Sequence, residues 1–400
     1  MEDKKINVLY LSTWYPNRTK PLEGIFVKKH AEAVAKFCNV SVLYITFDPL
    51  LFSNKLDIQT ETQNDVYSVR IFLSLPKTRI PFITFLFNFT RYILSAYKGI
   101  KLIAVRKGDP DLIQVNVASP LGIIALILKK LKKIPYIVFE HASVYIKYKD
   151  KYEYKRMVGR IERAITYLNF KYADCVISVS DFLIKGIMQT KGINNKYYIV
   201  PNIVEIPGNV LILKKDKDKI KAVTITMLDN RDKNIFELIT AFFKLFQNGK
   251  SNLELQIIGE GKLKPALEKH AEKLGLLNRN VFFIGYIPNE QISKYLSEAN
   301  FFILSSKYET FSIVTVEAIA NGIPVVVTKC GGPEEIVHEG QGIIVKNLDE
   351  DALVNGIEYM SLNWNKYNVK ELWNYAKNNY SDTVIGEKLY DIYKNILTLN

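Results

Sequence analysis

The chain alternates between short apolar runs and segments with helical spacing. In the first half, NVLYLST (7–13), VSVLYIT (40–46), DLIQVN (111–116), PYIVFEH (135–141) and CVISVS (175–180) are apolar and strand-length. GIFVKKHAEAVAKF (24–37) instead repeats its apolar positions every three to four residues, as a helix does. Strands alternating with helices predict a parallel sheet covered on both faces. A charged run, KKDKDKIK (214–221), interrupts the pattern, which then restarts. KAVTITM (221–227), LELQIIG (253–259), NVFFIGY (280–286), NFFILSS (300–306) and IPVVVT (323–328) form a second strand series. The expected fold class is α/β, with two doubly wound, Rossmann-like domains over residues 1–205 and 206–379. A terminal helix over 380–400 follows, and the first domain is its candidate docking place. Open sheets of this kind bind ligands beyond the carboxyl ends of their strands.

A length of 400 residues fits two such domains. Three widely spaced cysteines argue against a disulfide framework and for a reducing compartment, and no metal-ligand spacing accompanies them. The N-terminal apolar stretch is too short for a secretion signal, and no run reaches the roughly 18 apolar residues of a membrane span. A cytoplasmic protein is expected. The net charge of +13 sits almost entirely in the first half: residues 1–200 carry 31 Lys and Arg against 16 Asp and Glu, and residues 201–400 carry 23 against 25. The basic half lacks a nucleic-acid recognition signature. It does contain FITFLFNFTRYILSAY (82–97), with the clusters 129–133 and 147–156 behind it. One reading is an interfacial segment attracted to anionic lipid; the other is a core helix beside solvated lysines.

The stretch YETFSIVTVEAIANGIPVVVT (308–328) carries the chemistry. A strand should end near Ser306, and a helix should run from about Ser312 to Asn321, with Gly322 suited to its C-terminal cap. Glu309 then lies in the loop before the helix and Glu317 inside it. The amides around Phe311, Ser312 and Ile313 are helix-start donors, a ready anion site. Carboxylates do not bind phosphate, so the two glutamates should accept hydroxyl donors on either side of it. A sugar at one end, a ribose at the other and a diphosphate between them would satisfy that arrangement.

The E-x7-E spacing followed by NGIPVVVT resembles the signature of the retaining, nucleotide-sugar-dependent glycosyltransferases of family 4 (glycosyl transferases group 1). The resemblance spans nearly the whole chain, through VLYLSTWYP…GIFVKKHAEAVAKF, FEHASVY, VSDFL…VPNIVE, DNRDKNIFELITAF, LQIIGEGKLKPALEKHAEKLGL, VFFIGYIPNEQI and KCGGPEEIV in the family's order. It implies a GT-B fold, two Rossmann-like domains facing each other across a cleft. It assigns Glu309 to the donor sugar, Glu317 to the nucleotide ribose and Lys233 to the departing diphosphate, with no cofactor and no metal needed. His141 would face the sugar's outer hydroxyls. Gly24 and the G-x-G at Gly259 would allow close backbone approach, and Tyr286 and Ile287 would border the base. In place of the family's Gly-Arg before the lysine stand Met227 and Leu228, and Arg231 is the candidate substitute cation. The implied activity is metal-independent hexosyl transfer from a UDP- or GDP-sugar; the charge and aromatic segment of the basic half point to a glycan or lipid-linked acceptor of cell-surface polysaccharide synthesis, at the inner face of the membrane. A nucleotide-sugar epimerase of the same fold and a non-catalytic two-lobed binding protein are the alternatives.

Overall fold

The computed structural model describes residues 5–51, 55–75, 80–142, 145, 157–189, 193, 195–210, 215 and 218–399. The basic stretch 147–156 lies outside the described residues, as do Lys214, Asp216 and Lys217 of the charged run. The chain forms two compact units, Met1–Ile203 with Asp382–Asn400, and Val204–Ser381.

The first unit is built on β1 (Asn7–Ser12), α1 (Ile25–Ala35), β2 (Asn39–Phe47), β3 (Leu56–Gln63), β4 (Val66–Leu73), α2 (Pro81–Lys107), β5 (Leu112–Asn116), α3 (Gly122–Lys132), β6 (Tyr136–Glu140), α4 (Met157–Tyr172), β7 (Cys175–Ser178), α5 (Asp181–Met188) and β8 (Tyr197–Ile199). Its sheet has the order β3-β4-β2-β1-β5-β6-β7-β8, parallel except for the hairpin of β3 and β4. β1 lies between β2 and β5, and from Val8 to Leu11 all its side chains are buried. That double burial is why it reads as an unbroken apolar run. The hairpin turns through Asn64 and Asp65, both at positive φ, the geometry of a two-residue primed turn. Its first strand, LDIQTETQ, is mostly exposed and polar, so apolar runs do not reveal it.

Right-handed crossovers fix the helical layers. The steps β4 to β5 and β5 to β6 run in one direction, so α2 and α3 cover the same face. The step β1 to β2 runs the other way and puts α1 on the opposite face. The residues read as an interfacial or core segment, 82–97, belong to α2, a single 27-residue helix.

The second unit comprises β9 (Ile220–Ile225), α6 (Ile235–Gln247), β10 (Leu253–Ile258), α7 (Lys264–Lys273), β11 (Val281–Gly285), α8 (Asn289–Glu298), β12 (Phe301–Leu304), α9 (Ile313–Ala320), β13 (Val325–Thr328), β14 (Gly342–Val345), α10 (Glu350–Asn363) and α11 (Val369–Tyr380). Its sheet is parallel throughout, in the order β11-β10-β9-β12-β13-β14. One face of α6 supplies Leu238, Ile239, Phe242 and Leu245 to the core. Burial of a side chain as large as Phe242 contributes about 2–3 kcal/mol. α9 ends as expected: Gly322 has φ 72°, its amide donates to Ile319 O at 2.9 Å, and the Ile323 amide donates to Ala318 O at 3.2 Å.

The terminal helix α12 (Asp382–Leu399) belongs to the first unit and packs on α1. Lys36 pairs with Asp382 at 2.7 Å, and the Phe37 and Tyr390 rings stack at 5.5 Å. Within the core, the Tyr393 hydroxyl donates to Gln114 Oε1 at 2.6 Å and lies 2.8 Å from the Tyr10 hydroxyl. These bonds satisfy phenols that burial otherwise makes costly, and they fix the register of α12 on the sheet.

Candidate active site

Four segments of the second unit converge at the carboxyl ends of β12 and β13. A single 3-10 turn, Arg231–Lys233, is capped by Asn230, whose side chain accepts from the Asp232 amide at 2.9 Å. Ser305, just past β12, donates through Oγ to Lys233 O at 2.9 Å, and the Lys307 amide donates to Asp232 O at 2.7 Å. The Lys233 backbone is thereby fixed to the end of the sheet. Its ammonium donates to Glu309 Oε1 at 2.7 Å, and Ser306 Oγ donates to the same oxygen at 2.7 Å. Side-chain exposure is 30% for Lys233 and 15% for Glu309, so the pair is shielded but open to a ligand.

The KCGG loop clamps Glu309 from the other side. The Glu309 amide donates to Cys330 O at 2.9 Å, and the Gly332 amide donates to Glu309 O at 3.0 Å. A Cβ on Gly332 would lie 2.1 Å from Thr310 O, so the close approach requires glycine there. Cys330 is buried, and burial pushes its thiol up to about 12, which leaves it an inert packing residue. Thr328 Oγ1 donates to Ser306 O at 2.5 Å. Ser306 and Thr328, which position Glu309, were not legible as site residues: short hydroxyl side chains at strand ends have no distinctive spacing.

Ser312 is the N-cap of α9, at φ 78°, and its Oγ lies 2.7 Å from Thr315 Oγ1 and accepts from the Thr315 amide at 3.4 Å. Phe311 is buried against Tyr380, and Ile313 opens the helix. Glu317 is half-buried in the second turn. The ends of β10 and β11 meet at the G-x-G, where the Gly259 amide donates to Gly285 O at 2.8 Å. Beyond Gly285, Tyr286 is exposed and Ile287 buried. Leu228 is a core residue, and the Arg231 guanidinium lies over the Phe236 ring, 5.1 Å from its centre.

In the first unit, Gly24 has φ 68° and precedes α1; a Cβ there would lie 2.4 Å from the carbonyl of Trp14. It is a point of contact between two backbone segments. His141 follows β6 and is buried between Phe26 and Phe139, each with its ring centre 4.4 Å away, and 5.9 Å from His30. Asn202 lies near enough to favour the protonated ring, but among the described residues no hydrogen bond of normal geometry reaches a nitrogen of His141. Beside it, the buried Glu140 accepts from the amides of Ala118, His141 and Ala142 and from the Tyr145 hydroxyl. Burial raises its pKa, and these donors act against that shift. Glu140 ties the segment after β5 to the segment after β6.

Burial lowers His30 to about 4, and burial and the charge of His30 lower His141 well below the ordinary value. Between pH 4 and 6.5 the unfolded chain binds more protons than the folded one, so acidification favours unfolding. Stability should be complete above pH 6.5 and fall towards pH 4, by ~3 kcal/mol for His30 alone. Thermal unfolding recorded from pH 7.5 to 5 should show the loss, and His30→Leu should reduce it, leaving the part that belongs to His141. A transition temperature independent of pH across that range would contradict the assignment.

Residues 211–379 match the family model described as "Glycosyl transferases group 1", and residues 30–206 that described as "Glycosyltransferase Family 4". The chain is 25% identical over 396 residues to the putative teichuronic acid biosynthesis glycosyltransferase TuaC of Bacillus subtilis, covering 92% of this chain and 90% of that protein. It is 32% identical over 165 residues to an uncharacterized glycosyltransferase of Methanocaldococcus jannaschii; this covers 40% of the chain and 42% of the relative, well under two thirds of that protein's length. Among solved structures it resembles Anabaena HepE in complex with UDP, with a TM-score of 0.69, 16% identity, and coverage of 98% of this chain and 100% of that one. At that identity the likeness is one of fold.

Proposed function

The chain belongs to the group 1, family 4 glycosyltransferases and has their GT-B fold, and on that premise we propose a retaining, metal-independent hexosyltransferase that uses a UDP- or GDP-sugar. The observation that carries this reading is the shielded Lys233–Glu309 pair just ahead of α9. An ion pair at 2.7 Å that remains 30% exposed on the lysine side can exchange partners when a diphosphate arrives.

In this scheme the amides at Phe311, Ser312 and Ile313 bind the diphosphate at the helix start, and Lys233 meets the charge that develops as it departs. Glu309 accepts a hydroxyl of the sugar, and Glu317 accepts the ribose hydroxyls. Lys233 supplies the positive charge that a divalent metal would otherwise provide. The acceptor hydroxyl attacks the anomeric carbon from the face that the diphosphate leaves. The bond to the diphosphate breaks through an oxocarbenium-like ion pair, and a departing phosphate oxygen takes the acceptor's proton. UDP in the HepE complex supports a nucleotide donor, and the role named for TuaC supports a glycan or lipid-linked acceptor in cell-surface polysaccharide synthesis. The reading places the enzyme in the cytoplasm, at the inner face of the membrane.

Calorimetric titration with UDP, GDP and ADP in the presence of a chelator tests the donor site. One nucleotide should bind, and Glu317→Ala should weaken it about ten- to a hundredfold, the loss of a charge-assisted pair of hydrogen bonds. Unchanged affinity in the variant would remove Glu317 from the ribose site. No binding by any nucleotide would favour the non-catalytic two-lobed binding protein, with Leu228 marking a degenerate donor site.

A further inference from the structure

The helix α2 is apolar on the side away from the sheet as well as on the side towards it. The side turned towards the sheet carries Asn88, Tyr92, Ser95, Ala96 and Ile103, all buried, and the side turned outwards carries Phe82, Leu86, Leu94, Tyr97 and Val105. At 100° per residue these outward positions form one stripe, and Leu86, Leu94 and Val105 are 54%, 63% and 83% exposed. The face that a surface helix leaves to solvent is normally polar. The stripe runs along a helix of about 40 Å, and large contiguous apolar surface of this kind marks a contact with another phase or molecule.

Charge identifies the partner. α2 contains five Lys and Arg and no Asp or Glu. α3 covers the same face of the sheet and ends in Lys129, Lys130 and Lys132, with Lys133 following and the exposed Ile127 and Leu131 beside them. Lys132 pairs with Asp109 at 3.3 Å, which holds the end of α3 to the turn that follows α2. Across residues 81–133 nine Lys and Arg face two Asp. Among the described residues no helix is long and apolar enough to cross a membrane.

We propose that the outward stripe of α2, with the basic end of α3, docks this unit flat on an anionic lipid bilayer. The apolar side chains enter the boundary between headgroups and acyl chains, while the exposed Lys98, Lys101, Lys130 and Lys133 stay among the phosphates. This goes beyond sugar transfer, since it depends on one surface of the first unit and not on the donor site. For an enzyme with a lipid-linked acceptor, it would also bring the acceptor and the enzyme to the same plane.

The test is cosedimentation of the full chain with phosphatidylglycerol–phosphatidylcholine vesicles and with pure phosphatidylcholine vesicles. Wild type should partition onto the anionic vesicles, and more weakly with added salt. Leu86→Asp/Leu94→Asp should reduce partitioning at least about tenfold, and Lys98→Glu/Lys101→Glu should reduce it for anionic vesicles only. Unchanged thermal unfolding and nucleotide titration show that each variant is folded and separate this result from any failure at the donor site. Wild type left in the supernatant, or variants that bind as wild type does, would overturn the proposal. So would a wild-type dimer that Leu86→Asp/Leu94→Asp dissociates without loss of vesicle binding, because the stripe would then face a second copy.

Discussion

Replacing Lys233 with alanine is expected to lower kcat/KM for sugar transfer by about a hundredfold to a thousandfold, the range measured when one preorganised stabiliser of developing charge is removed. The fold should survive. The lysine's backbone is held through Asp232 and through its own carbonyl, by the Lys307 amide and Ser305 Oγ, and none of these bonds uses the side chain. Glu309 keeps the Ser306 hydroxyl as a donor to the same oxygen. The loss should appear in kcat, because the lysine meets charge that exists fully only as the diphosphate leaves; a change confined to KM would mean that it binds ground and transition states alike. Lys233→Arg should recover only part of the rate, since a planar guanidinium cannot occupy the place of a compact ammonium against Glu309. Transfer measured with the nucleotide identified by titration checks this, and a variant within about threefold of wild type would exclude the role.

The surroundings of Lys233 make this expectation sharper. Where the resemblance to family 4 anticipates an arginine, this chain has Leu228, which is packed in the core among residues of α6 and β10. Arg231, the substitute weighed from the sequence, has its guanidinium over Phe236. The neutralisation of the diphosphate in the proposed reaction therefore falls on Lys233 and the amides ahead of α9. A transferase that keeps an arginine at the position of Leu228 would share that load and tolerate loss of the lysine better.

What the sequence revealed follows from how strongly each element is constrained. Parallel strands buried on both faces, such as β1, β5, β6 and β13, appear as apolar runs because every side chain on them meets the core. The strands β3, β8 and β14 do not show as apolar runs because they are edge strands with exposed positions, and β4, an interior and mostly buried strand, is not recognised because Ser68 and Arg70 interrupt its apolar residues. The Asn64–Asp65 turn was the available signal for the β3–β4 hairpin. At the site, charged residues at loop positions were legible, and the structure brings Lys233 and Glu309 into contact across 76 positions of sequence. The supports for Glu309, Ser306 and the Cys330–Gly332 backbone, were not legible in the same way, since their contribution is made by a hydroxyl and by main-chain atoms. Arg231 could be proposed from its charge, but the ring of Phe236 that engages it is a tertiary fact. The direction in which α2 turns its apolar stripe is another: periodicity gives an amphipathic helix, and only packing says which side meets the sheet.

Gly259→Ala should be the most damaging single-methyl change in the second unit, with a loss of about 3–6 kcal/mol from backbone strain and overpacking together. Gly259 has φ 138°, and a Cβ on it would lie 1.8 Å from Thr226 O. That oxygen is main chain and cannot rotate away. The two segments are fixed to each other by the Thr226 amide on Ile258 O at 2.9 Å and the Leu228 amide on Glu260 O at 2.9 Å, and Gly259 itself donates to Gly285 O. Relief would require the ends of β9, β10 and β11 to separate, which would carry the turn that bears Lys233 with them. Gly275→Ala supplies the comparison: it also has positive φ, 68°, in the left-handed position after α7, but nothing lies within 4 Å of its Cβ. Its cost should be the conformational term alone, about 1–2 kcal/mol. Thermal unfolding of the two variants separates these causes. If both fall by the same amount, backbone conformation accounts for the glycine at 259; if Gly259→Ala falls much further, the G-x-G is a close approach between strand ends, a clamp on the sheet edge where the donor site is proposed.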